Sequence, residues 1–85
     1  MKEFKTNLIN LPSQTFFVFY KNQKYLTTKQ TLLDGKLIKL FAKGLANNDI
    51  VSANYYPYIK NGLLKPCEIS DKKVIDFVNH LEIFK

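Results

Sequence analysis

Cys67 and His80 are the one thiol and the one imidazole in the chain. Nucleophilic catalysis would need such a nucleophile, a base and an orienting group brought together, and nothing in the spacing unites these two. Cys67 follows Pro66 in a β-rich stretch, where pairing with Tyr56 would pack the thiol rather than activate it. His80 falls at the polar edge of a helical pattern and reads as a solvated side chain. Asp71 and Asp76 are five residues apart and share a helical face poorly, and there is no Cys-x-x-Cys, His-x-x-x-His or calcium loop. Gly35, Gly44 and Gly62 are too dispersed for a phosphate loop. No pair of carboxylates has a spacing suited to acid–base work. The residues therefore predict a non-enzymatic protein with no cofactor and no metal, whose chemistry is binding.

Two sets of residues suit binding. Tyr55, Tyr56 and Tyr58 stand with Lys60 and Lys65 around an Asn61-Gly62 turn. Tyrosine adds apolar contact area at low entropic cost, so these five are the expected partner-binding residues. The second set is Lys36, Lys39 and Lys43, extended by Lys29, which would attract phosphates without reading sequence. The chain carries a net charge of +6, and all the excess lies in residues 1–44, where eight Lys face two acids. Every basic residue is Lys. The bidentate fork with which Arg reads guanine is thus missing, which disfavours a sequence-specific reader.

These residues need elements to hold them. Eighty-five residues make one domain, residues 1–85, with little surplus core. Asn61-Gly62 between apolar runs signals a two-residue hairpin. That register would set Pro57 opposite Pro66 and project a two-stranded ribbon, since neither proline can donate to a third strand. Thr15–Tyr20 (TFFVFY) suits a central strand covered on both faces. Lys21-Asn22-Gln23-Lys24 gives a turn and Tyr25–Thr28 a returning strand. Residues 1–14 read as a short strand or packed arm ending at Pro12. Leu33, Leu37, Leu40, Phe41 and Leu45 recur at helical spacing, with Lys36, Lys39 and Lys43 opposite them. Asp34-Gly35 also fits a hairpin turn there, but the spacing favours helix. Ser70-Asp71 opens a second helix with a stripe of Val74, Phe77, Val78 and Leu81.

The expected fold is α+β: a small antiparallel sheet of two hairpins, order ββαββα, with two helices on one face. The lone cysteine, the absence of a long apolar run and the absence of a signal-peptide core predict a cytoplasmic protein without membrane contact. The leading expectation is a small module that occupies a protein partner as inhibitor or adaptor. Its size and Lys/Asn-rich composition are reminiscent of accessory proteins of phages and mobile elements, including inhibitors of host defence. The alternative is Lys-driven, largely sequence-independent nucleic-acid binding.

Overall fold

The computed structural model describes residues 2–84, and for Lys2 the backbone alone. The elements in chain order are α1 (Lys2–Asn10), β1 (Thr15–Tyr20), β2 (Gln23–Leu32), a 3-10 turn (Leu33–Gly35), β3 (Leu37–Gly44), β4 (Ile50–Tyr56), β5 (Leu63–Pro66), α2 (Asp71–His80) and β6 (Glu82–Ile83). The α+β class is as expected. The order is not: one helix precedes a five-strand meander, and the second follows it. The strands form one antiparallel sheet, β5-β4-β3-β2-β1-β6.

The N-terminal segment is a helix because Phe4, Leu8 and Leu11 fall on one side, and all three are buried. Phe4 meets Tyr55 edge-on at 5.5 Å. Ser70 caps α2 as expected, its Oγ accepting the Lys73 N–H at 3.1 Å. Val74, Phe77 and Val78 are buried on the sheet, and each full burial of this kind contributes about 1.5–3 kcal/mol. The helices also touch each other, through an Asn7 Nδ2 to Asn79 Oδ1 bond of 3.0 Å. Both lie on the same face of the sheet, and α1 stands where the sequence predicts a short strand or packed arm.

The segment with helical spacing is instead the end of β2, a turn and β3. Leu33, Asp34 and Gly35 all take positive φ, so Asp34-Gly35 works as a reversal. Beyond it the burial alternates with period two: Ile38, Leu40, Ala42 and Gly44 point in, Lys39, Phe41 and Lys43 point out. A short apolar run satisfies both periods, and tertiary pairing decides between them. Here β3 bonds to β2 along eight residue pairs and to β4 along six. A helix would forfeit both ladders.

The β4–β5 hairpin exists, but its register differs from the paired-proline arrangement. Tyr56 faces Leu63, Tyr55 faces Leu64 and Ala53 faces Pro66. Lys60, Asn61 and Gly62 all take positive φ, and the Gly62 N–H bonds Ile59 O at 2.8 Å, so the tight turn is centred on Lys60-Asn61, one residue earlier than expected. Pro57 is buried and its carbonyl accepts from Lys5 Nζ at 3.5 Å. Strand pairing therefore stops at Tyr56, and no proline ribbon projects. Gly62 has φ +117°, and a Cβ there would collide with Tyr55 Oη. The tyrosine ring passes close under the turn because that position has no side chain. Pro66 ends the edge strand β5, where a missing donor is tolerated.

One more expectation changes. β1 is covered on one face only. Phe16, Val18 and Tyr20 are buried, while Phe17 and Phe19 remain 40% and 37% exposed. Among the described residues the two helices both lie on one side, and no further layer covers the other.

Candidate binding face

The sheet face opposite the helices is open, and the strand registers fix what stands on it. On β1 it carries Thr15, Phe17 and Phe19; on β2 Lys24, Leu26, Thr28 and Gln30; on β3 Lys39, Phe41 and Lys43. On β4 it carries Ile50, Ser52, Asn54 and Tyr56, and on β5 Leu63 and Lys65. One row across the sheet sets a cation among apolar groups: Phe17 faces Leu26, which faces Lys43, which faces Ile50. Phe41 is 46% exposed and sits between Lys39 and Lys43 along its own strand. Strands are about 4.8 Å apart and rise about 3.3 Å per residue, and Phe41 lies two strands across and two residues along from Phe17, so the two stand roughly 12 Å apart, as separate platforms. Phe17, Leu26, Phe41 and Ile50 are each more than a third exposed on this one face, and exposed apolar groups gathered on one surface mark an interaction site.

Charge on this face is one-sided. Among the described residues the ion pairs are Lys21–Asp76, Lys73–Asp49 and His80–Asp76. Lys24, Lys39, Lys43 and Lys65 belong to none of them. The carboxylate the registers place here is Glu82, opposite Phe19 at one corner.

The expected site residues separate. Tyr55 is 2% exposed and faces the core. Tyr56 and Lys65 stand on the open face. Tyr58, 72% exposed, and Lys60 lie in the loop before β5. Of the lysine set, Lys39 and Lys43 are on the open face, and Lys36 is exposed in the turn before β3. Lys29 is not available to a partner. It is 3% exposed, and its ammonium donates to the Ile9 and Leu11 carbonyls, both at 2.7 Å. A cation there caps the carbonyl end of α1, and burial lowers its pKa. Cys67 is exposed rather than packed, and His80 is exposed on α2 beside Asp76. Sequence reasoning missed Phe17, Phe19, Phe41 and Lys24. The residue types give little signal there: TFFVFY and the LFA within KLFAK are apolar on both alternates, and the period of two is in the burial that the fold imposes.

On the helical side a second polar cluster closes one end of the sheet. Tyr20 donates to Asp76, Tyr25 donates to Asp49 at 2.6 Å, and Lys73 pairs with Asp49. Tyr20 and Tyr25 stack edge-on around Phe77 at 5.0 and 5.3 Å. Burial, aided by the bond to Asp76, pushes the Tyr20 hydroxyl well above 10.0. Burial and the bond to Asp49 raise Tyr25, and burial raises Tyr55. At Asp49 burial pushes upward, but the bonds from Lys73 and Tyr25 win and its pKa is lowered. The Tyr20 bond lowers Asp76.

These shifts carry a sign for stability. A phenol whose folded pKa is raised stabilises the fold fully below the unfolded value near 10. That contribution is lost as pH rises through the window above it. Lys29 runs the other way, gaining up to its unfolded value of 10.5, and is one group against three. Thermal melts taken from about pH 8 to pH 12 are expected to show stability falling once pH passes roughly 10, with Tyr20→Phe flattening the fall. A melting temperature unchanged across that window in the wild-type protein would refute the assignment.

No helix of the described residues is long and apolar enough to cross a membrane. Among the described residues no group of His, Cys, Asp and Glu could hold a metal ion. Comparison of the chain with protein-family models, with curated proteins and with solved structures finds no match, so any functional reading rests on the side chains described above.

Proposed function

We propose that this protein is a non-enzymatic module that binds single-stranded nucleic acid on the open face of its sheet, without sequence preference. The observation that carries this is the Lys39–Phe41–Lys43 alternation on the central strand β3, exposed on that face with no carboxylate beside it in the β2 and β4 registers. Unpaired bases stack on exposed rings, and phosphates are drawn by neighbouring ammonium groups. A protein partner fits this face less well. Protein interfaces concentrate apolar groups at the centre and are depleted in Lys, whereas Lys43 here stands between Leu26 and Ile50. Thr28, Gln30, Ser52 and Asn54 add hydroxyl and amide groups of the kind that bond phosphate and sugar oxygens without reading sequence.

The test is fluorescence anisotropy with labelled single-stranded and duplex oligonucleotides over a salt series. Single strands are expected to bind more tightly than duplex. Log affinity should fall linearly with log salt, by roughly 0.7 for each phosphate neutralised. Absence of single-strand binding at low salt would overturn the reading.

A second reading has its own support. Leu33, Tyr58 and Ile59 are 67%, 72% and 45% exposed, in the two loops that follow β2 and β4. In that reading the protein acts as an inhibitor or adaptor by docking these loops on a protein partner. Capture that persists after nuclease treatment and is lost in Tyr58→Ala would favour it.

A further inference from the structure

The corner of the open face formed by Phe17, Phe19 and Lys24 is occupied by the chain's own C-terminal segment. Glu82 pairs with Phe19 and Ile83 with Val18, and the Phe84 N–H bonds Phe17 O at 3.0 Å. Cross-strand partners share a face, so Glu82 stands on the open face beside Phe19. The Phe84 ring packs edge-on against Phe19, with centroids 5.4 Å apart at 89°. The Lys24 ammonium lies 4.5 Å from the Phe17 ring centre and 4.8 Å from that of Phe84. An aromatic ring, a cation between two rings and a carboxylate thus meet within one small area.

We infer that this corner is a nucleotide subsite in which Phe84 stands where a base would stack and Glu82 supplies the negative charge a phosphate would bring. The inference rests on the single-strand reading of the open face. Three features support it. Glu82 is the carboxylate that the registers place on an otherwise basic face. β6 spans two residues, so little pairing must be given up to release it. Phe84 is 50% exposed, so its ring covers the aromatic pair without being buried by it. Phosphate and base would then compete with the tail for Lys24 and the two phenylalanines. Binding at this corner would be weaker than its aromatic content implies until the tail is displaced.

The test compares the wild-type protein with Glu82→Gln/Phe84→Ala, using a labelled oligothymidylate in an anisotropy titration. The single variant Glu82→Gln, which keeps the backbone pairing and the ring, is the second probe. Circular dichroism establishes that each variant is folded. A freed subsite should raise affinity about fivefold or more in the double variant, the scale of one stacked base. Glu82→Gln should give a smaller gain that shrinks with salt. In the wild-type protein, the Phe84 ring proton resonances should move toward unstructured values as oligothymidylate saturates the face. Equal or lower affinity in both variants, with unmoved Phe84 resonances, would overturn the subsite while leaving the open-face reading in place. No binding by any of the three proteins would overturn both.

Discussion

Phe41→Ala is expected to weaken single-strand binding by roughly tenfold to a hundredfold at fixed salt while leaving the fold intact. The ring is 46% exposed and stands on the outer face of β3. Its loss therefore removes a stacking platform rather than core. Stacking of one base on one aromatic ring is worth about 1–3 kcal/mol, and each 1.4 kcal/mol is about tenfold. The neighbouring lysines should behave differently. Lys39→Ala and Lys43→Ala should each lower the salt slope by roughly 0.7, whereas Phe41→Ala should lower affinity with the slope unchanged. Anisotropy over a salt series separates the two effects. If Phe41→Ala binds as tightly as the wild-type protein, the rings of the open face are not the platform.

Phe77→Ala should be the most damaging single change to the fold. Phe77 is fully buried on α2 and meets Tyr20 and Tyr25. Truncating a buried phenylalanine costs about 3–5 kcal/mol, because transfer energy is lost and a cavity is left. A small domain holds only about 5–15 kcal/mol in all. In a chain of this size each 1 kcal/mol shifts the melting temperature by about 4–8 °C, so a fall of roughly 15 °C or more is expected by circular dichroism. The loss reaches the polar cluster too. Tyr20 and Tyr25 are positioned by that ring, and through them the Asp76 and Asp49 contacts. A melting temperature within a few degrees of wild type would show that the core closes over the gap.

Much of this was legible in the residues, and where it was not the reason is physical. Thr15–Tyr20 is a strand with the bounds the sequence set, and Lys21-Asn22 turns it back, both residues at positive φ. Ser70 opens α2, and the Val74–Phe77–Val78 stripe lies inward. These features are local: a cap, a turn and a strong period settle them within a few residues. Residues 33–45 are different. Their leucines satisfy the helical period, and only the neighbouring strands show that the period of two is the one used. The hairpin register depended on Pro57, whose place under α1 is a contact across 52 positions of sequence. A turn dipeptide holds no information about such a contact.

The candidate site divides along the same line. Composition alone determined that the protein is basic, that it carries Lys and no Arg, and that it is rich in aromatics. Which lysines and which rings share a surface was decided by the fold. Lys29 went inward to hold the end of α1, and Tyr55 went inward under Gly62. Phe17, Phe41, Lys39 and Lys43 came together on the sheet's outer face. The physical reason is that a strand assigns alternate residues to opposite faces. Which set of alternates meets solvent depends on where the two helices pack, and that is settled by the whole chain at once.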